Sequence, residues 1–296
     1  MRISLIYYRR KILLNIIAAF GNEGIEKLKL QKILFLLSKQ QENPAFSFVP
    51  YKYGCYSFQA TKDLEVMTDY YTFIAQHDDK WFPRQVPDST LHKKESMLLS
   101  ALINQFKHKD KQQTIDYVYD RYPYYSINSQ WPLSDKQKNA VEQVRLNIKS
   151  NKHACLFTIG YEGKSIDAYL NELIRNNITL LCDVRKNSQS MKYGFSKNQL
   201  KKYCSNLGIA YEHIPELGIA SQKRQSLISQ QDYQSLFNGY KAELPEKQRH
   251  LQQVVDLMRA HPRLALTCFE KGHEECHRHC VSDYLQEKHL LKCRHL

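Results

Sequence analysis

Three short apolar runs in the second half of the chain each stop at ionisable residues, and this pattern constrains the fold more than any other feature. The clearest is Leu264-Ala-Leu-Thr-Cys268, which is followed by Phe-Glu270-Lys-Gly-His-Glu-Glu-Cys276-His277-Arg278-His279-Cys280. Residues 154–159 run in the same way into Gly160-Tyr161-Glu162-Gly163, and residues 178–182 into Asp183-Val184-Arg185. Short apolar runs bounded by turn signals read as buried strands. Ligands of open α/β sheets bind beyond the carboxyl ends of the strands, so ionisable residues gathered there predict a site.

The segments between these runs have helical spacing. Residues 165–174 form one predicted helix with Ser165 as its N-cap, which makes a strand, helix and strand unit and a largely parallel sheet. Residues 195–207 predict a second helix with Ser196 as cap and Gly208 as stop, followed by a strand over 209–214 that ends at Pro215. A long helix over 243–260 and a closing helix over 274–287 complete the expectation. The fold class is therefore α/β, a mostly parallel sheet flanked by helices, preceded by a smaller winged helix-turn-helix-like domain.

Several ordered motifs in this half, Thr158-Ile-Gly-Tyr-Glu-Gly163, Cys182-Asp-Val-Arg185, Gly194-Phe-Ser-Lys197, Tyr211 with Leu217-Gly218, and Cys268-x-Glu270 with Cys276-His-Arg278, are together specific. The set resembles the domain-of-unknown-function-488 family. The resemblance implies an α/β sandwich with a strand-end site and supplies no reaction. Two positions depart from it. Asn187-Ser-Gln-Ser190-Met-Lys192 stands where the family usually has a proline and a Ser-Arg pair, and Ile219 stands where it repeats glycine.

At 296 residues the chain is long enough for two cores, and no apolar run reaches the ~18 to 20 residues that a membrane span needs. The run over residues 12–20 reads as a core helix and lacks a signal-peptide cleavage site, so no membrane partner is expected. Eight scattered cysteines fit a reducing cytoplasm better than a disulfide framework. The net charge of +13 divides into +7 for residues 1–150 and +6 for residues 151–296. A basic excess in both halves favours a polyanionic partner.

The first half supplies a module that would use this charge. Helices are predicted over residues 9–20, 27–37 and 58–69, with Ser57 capping the third, and a hairpin pairs 71–74 with 80–82 around His77-Asp78-Asp79. Lys29-Leu-Gln-Lys-Ile-Leu-Phe-Leu with Pro50-Tyr-Lys-Tyr-Gly-x-Tyr-Ser57 resembles a winged-helix module, with Cys55 where a proline is common. DNA is the expected partner, with Lys52, Gln59, Lys62, Lys80 and Arg84 as contacts suited to phosphates. The competing reading of this half is a protein-interaction or oligomerisation module, and the oligomeric state is left open.

The expected division is a winged-helix-like domain over 1–120, a connector over 121–150 and a catalytic domain over 151–296. The connector, rich in tyrosine and broken by prolines, either packs between domains or offers Tyr124, Tyr125 or Trp131 to stack an unpaired base. A helix over 135–149 leads into the second half.

Asp183, Glu270 and His277 are the candidate catalytic groups, because carboxylates can activate water or stabilise charge at a sugar carbon. Gly160, Tyr161, Glu162, Arg185, Ser190, Lys192, Tyr211 and Arg278 are the candidate substrate contacts, with the guanidinium forks suited to phosphates. Asp183 paired structurally with Arg185 or Arg278 is the alternative. Cys268, His273, Cys276, His277 and Cys280 hold donors that zinc could use, but no Cys-x2-Cys pair is present and no metal is assigned. Walker, dinucleotide and nucleophile-elbow signatures are absent too, so no cofactor is expected.

A basic reader joined to a hydrolytic-looking crevice predicts a DNA-processing enzyme. The specific expectation is a glycosylase-like hydrolase that removes an unusual or modified base, in defence against foreign DNA. A transcriptional regulator with a nucleotide-like ligand, or a metal-dependent nuclease, are the alternatives.

Overall fold

The first helix, α1 (Tyr8–Phe20), sends Ile12, Leu13, Ile16, Ile17 and Phe20 into a core that it shares with the helices that follow. The computed structural model describes residues 6–150, 153–224 and 229–296, and the chain divides into two units, Met1–Leu146 and Asn147–Leu296.

In the first unit β1 (Ile25–Glu26) leads into α2 (Lys27–Ser38), and the hairpin of β2 (Val49–Tyr51) and β3 (Gly54–Tyr56) leads into α3 (Phe58–Asp69). The Ser57 side chain accepts from Ala60 N at 3.2 Å, the expected cap of α3. A second hairpin, β4 (Ile74–His77) and β5 (Lys80–Pro83), is joined by β1 in a three-stranded antiparallel sheet of order β1-β5-β4. Its first strand starts later than the predicted 71–74. Thr72 adopts φ 53° and Phe73 N bonds back to Met67 O, so residues 71–73 close off α3.

Helices α4 (Lys93–Phe106), α5 (Lys111–Arg121) and α6 (Asp135–Lys149) follow. Lys29 and Lys32 on α2 are both buried, because this helix is packed on most of its circumference. Lys29 Nζ donates to Lys107 O and Lys109 O at 2.9 and 2.7 Å, and Lys32 Nζ donates to Tyr53 O. Burial lowers the pKa of both amines.

The tyrosine-rich stretch packs within this unit. Tyr125 is buried edge-on to Phe35 at 4.5 Å, and Trp131 Nε1 donates to Gln112 Oε1 at 2.9 Å. Tyr125 therefore has no face to offer a base.

The second unit is built on five parallel strands of order β10-β6-β9-β7-β8. Its elements are β6 (Cys155–Gly160), α7 (Ile166–Arg175), β7 (Leu180–Asp183), α8 (Lys197–Asn206), β8 (Ala210–His213), α9 (Gln230–Glu243), α10 (Gln248–Ala260), β9 (Arg263–Cys268), α11 (Arg278–His289) and β10 (Cys293–His295). Leu156, Leu180, Cys182, Leu264 and Leu266 share one core with Leu251 and Val254 of α10 and Val281 and Leu285 of α11. Ser165 caps α7 as expected, accepting from Ala168 N at 3.1 Å.

Three helices differ from expectation. The predicted helix over 243–260 is broken at Pro245: α9 ends at Glu243, a 3-10 turn spans Leu244–Lys247, and α10 starts at Gln248. The closing helix starts at Arg278, not at residue 274. The helix predicted from residue 195 starts at Lys197, and its N-cap Ser196 donates to Ser190 O at 3.0 Å instead of capping.

Candidate active site

The sheet topology brings the predicted polar groups to one edge. In the register of the strands Gly160 sits beside Cys268, and Asp183 sits beside both Thr267 and His213. β9 lies between β6 and β7. The chain leaves β6 and β7 toward β8, whereas it leaves β9 in the opposite direction toward β10. Right-handed crossovers then send the outgoing helices to opposite faces, which opens a crevice at the end of β9.

The loop after β9 folds onto the end of β6. A Cβ on Gly160 would lie 1.7 Å from Glu270 O, so only glycine permits this approach. Tyr161 N and Glu162 N donate to Phe269 O at 3.1 and 2.8 Å, and Glu162 Oε2 accepts from Lys271 N at 2.9 Å. Arg278 is buried beneath the loop and donates to Glu270 O at 2.6 Å and Lys271 O at 3.0 Å. It shapes the loop instead of standing open to a phosphate.

Asp183 is fully buried at the end of β7 and accepts four hydrogen bonds. Oδ1 takes Arg185 N at 3.1 Å and Arg185 Nε at 2.8 Å. Oδ2 takes an Arg185 terminal nitrogen at 2.5 Å and the Tyr211 hydroxyl at 2.6 Å. The other Arg185 terminal nitrogen donates to Tyr161 Oη and Phe195 O, both at 2.9 Å. Burial works to lower the Arg185 pKa, but the Asp183 carboxylate overrides it and raises the pKa. Burial, then Asp183, raises that of Tyr211.

Tyr161 is buried, stacked on Phe195 at 4.3 Å with Phe269 edge-on at 5.3 Å. Lys192 Nζ donates to Tyr161 O at 2.8 Å, and burial lowers its pKa against the opposing pull of Glu162. Ser190 Oγ accepts from Lys192 N at 3.2 Å, which holds that loop together. His277 is buried, and its Nε2 lies 3.0 Å from Val184 O. A carbonyl only accepts, so Nε2 carries a proton, and in the neutral ring Nδ1 presents its lone pair toward Cys268 and Cys276.

Sequence reasoning missed four residues here. His213 bonds Arg185 O through Nε2 at 2.9 Å and Lys197 Nζ through Nδ1 at 3.1 Å, and its place at the end of β8 was the signal. Phe269 is 43% exposed beside the half-buried Glu270. Lys186 and Tyr240 line a cavity of about 530 Å³ with Gly218, Ile219, Asp232 and Lys247. None of the predicted catalytic residues lines that cavity.

In the first unit, Lys52 and Arg84 are exposed, Lys62 pairs with Glu65 at 3.1 Å, and Lys80 Nζ donates to Glu23 O at 3.1 Å. Gln59 Nε2 lies 3.4 Å from Asp63 Oδ2. Of the predicted DNA contacts only Lys52 lines the cavity of about 420 Å³ formed with Lys27, Tyr53, Tyr56, Trp81 and Lys111. No helix among the described residues is long and apolar enough to cross a membrane.

Fold and site thus define a two-unit protein whose second unit is a parallel α/β sheet with ionisable groups collected at the strand ends. Residues 165–285 match the family model described as Domain of unknown function DUF488, which supports the resemblance read from the motifs. The matched segment holds Asp183, Arg185, Tyr211, Glu270, His277 and Arg278, whereas Gly160, Tyr161 and Glu162 precede it. No curated protein and no solved structure matches the chain.

Proposed function

We propose that this protein processes DNA, with the first unit as a winged-helix DNA-binding module and the strand-end crevice as the site that hydrolyses a base–sugar bond. The reading of the first unit rests on its order of helix, strand, helix, short hairpin, helix and second hairpin, with β1 completing the sheet of the second hairpin. An exposed hairpin and the start of α3 are the elements such a module applies to phosphates.

The observation that carries the catalytic reading is a pair of carboxylates at neighbouring strand ends in unequal settings, Asp183 fully buried and Glu270 half-buried. Asp183 has its acceptor positions filled by Arg185 and Tyr211, so it positions the arginine and the tyrosine. Glu270, half-buried just past the neighbouring strand end, is the carboxylate assigned to the anomeric carbon. Phe269 supplies an exposed aromatic face for an extruded base. Lys186, Lys192 and Lys197 lie on the segments that leave β7 and suit the flanking phosphates. The test is incubation with DNAs that carry normal and modified bases, with mass spectrometry for released base. DNA returned unaltered removes this reading.

The cavity beside Lys186 and Tyr240 favours a second reading, a regulator whose second unit senses a nucleotide-like ligand. That version predicts a discrete footprint on one DNA sequence and no chemical change to the DNA.

A further inference from the structure

We propose that Cys268, Cys276 and His277 form a three-ligand site for a borderline-soft divalent cation, zinc by preference, at the carboxyl end of the central strand. The inference stands on the geometry of these three side chains and does not depend on the DNA-processing reading.

Cys268 ends β9, and Cys276 and His277 directly precede α11. Fold topology, not sequence spacing, makes them neighbours. Their donor atoms lie within 4.8 Å of one another, with His277 Nδ1 3.7 Å from Cys268 Sγ and 3.9 Å from Cys276 Sγ. Two ligands of tetrahedral zinc, with Zn–S near 2.3 Å and Zn–N near 2.0 Å, stand about 3.5 Å apart. The imidazole therefore needs to close on each sulfur by only a few tenths of an ångström, and the two sulfurs lie within 4.8 Å of each other.

The imidazole is already set for this task. Nε2 donates to Val184 O at 3.0 Å, which fixes the tautomer that leaves the Nδ1 lone pair facing the sulfurs. Metal-bound histidines characteristically donate their second ring nitrogen to a carbonyl or carboxylate in this way. The Tyr240 ring packs edge-on to the imidazole at 5.7 Å and limits its rotation.

Charge balance agrees with burial. Cys268, Cys276 and His277 are 2, 0 and 2% exposed, so an uncompensated ion would be costly there. Two thiolates and one neutral imidazole around a divalent cation carry no net charge. Each thiol loses its proton to solvent as its Sγ–metal bond forms, so binding weakens with acid.

The other donors that the sequence offered turn elsewhere. His273 stacks on His295 at 3.8 Å, and Cys280 Sγ lies 3.3 Å from His279 Nε2. No fourth histidine, cysteine or carboxylate among the described residues joins the trio. Three protein ligands with a fourth position left for water or a ligand is the arrangement of zinc sites that do chemistry, whereas structural sites close with four.

The experiment is metal analysis of the full chain, purified under reducing conditions from zinc-supplemented medium, together with cobalt(II) titration of the stripped protein. The expected result is close to one zinc per chain and a thiolate-to-cobalt charge-transfer band in the near ultraviolet. Cys268→Ser and Cys276→Ser should each abolish stoichiometric binding and reduce the band, and Cys280→Ser should leave both intact. Should the first two variants fail to fold, the cobalt spectrum of the wild-type chain decides alone. Absence of bound zinc together with absence of the band overturns the proposal. So does retention of metal in both serine variants, or intact-mass detection of a Cys268–Cys276 disulfide in the freshly purified chain.

Discussion

Arg185 reaches back two residues to hold the Asp183 carboxylate, with Nε 2.8 Å from Oδ1 and a terminal nitrogen 2.5 Å from Oδ2. The pair is almost wholly buried, with side-chain exposures of 5 and 0%. A parallel fork of this kind fixes the guanidinium plane, and Tyr161 and Phe195 O hold its far side.

Asp183→Asn should accordingly act first on stability. Removing one partner leaves the other charge buried without compensation, at a cost of about 3–5 kcal/mol. Urea unfolding of the two proteins measures it. A change under about 1 kcal/mol would mean that the carboxylate is not the structural anchor.

Glu270→Gln should spare the fold and lower turnover by ~10² or more, the usual loss for an acid or base group. Circular dichroism and single-turnover rates separate the two effects. A folded Glu270→Gln protein with normal turnover would return the catalytic role to Asp183.

Much of the second unit was legible because buried parallel strands write themselves as apolar runs with polar ends. The strands that end at Gly160, Asp183 and Cys268 follow that pattern, whereas the edge strand that ends at His213 was legible from its bounding Gly208 and Pro215. β10 did not, since Cys293-Arg-His295 is short and polar and is a strand only through its pairing with β6. The carboxylates were legible as site residues, but their unequal environments were not. Which of Asp183 and Glu270 is sealed depends on an arginine and a tyrosine placed by backbone register. The cysteine–histidine trio was obscured for a related reason: helical spacing pointed to His273 and Cys280, whereas residues 274–277 are not helical.

Gly160→Ala should cost about 3 kcal/mol, because the new methyl would meet the Glu270 carbonyl, which is backbone and has little room to move. Gly239→Ala is the control. Nothing lies within 4 Å of its added Cβ, and alanine in the middle of α9 should gain up to about 1 kcal/mol. Denaturant midpoints of the two variants should move in opposite directions.

His295 gives a signed pH dependence. Burial, then the neighbouring His273, lowers its pKa from the usual 6.5, with Arg278 and His279 acting the same way and Asp283 opposing. The folded state thus favours the neutral ring. Its contribution to stability is complete above pH 6.5 and is lost as pH falls toward the folded-state pKa, because the unfolded chain takes up the proton first. An NMR titration of the imidazole should find its midpoint below 6.5. A midpoint at or above that value would reverse the sign.

Lys52→Ala and Arg84→Ala should each weaken DNA binding across sequences and flatten the salt dependence by about one unit of log–log slope, as expected for a lost phosphate contact. Fluorescence anisotropy at several salt concentrations reads both. Unchanged slopes would move the interface away from the hairpins.

The most direct test of the central claim uses duplex and single-stranded DNAs that carry normal or modified bases, incubated with the full chain without added Mg²⁺. Mass spectrometry reads released base, and alkaline treatment reads abasic sites. Hydrolysis of the base–sugar bond gives free base from a modified substrate and strands that break only after alkali. Direct strand breaks abolished by chelator, or DNA recovered unchanged from every substrate, would contradict it.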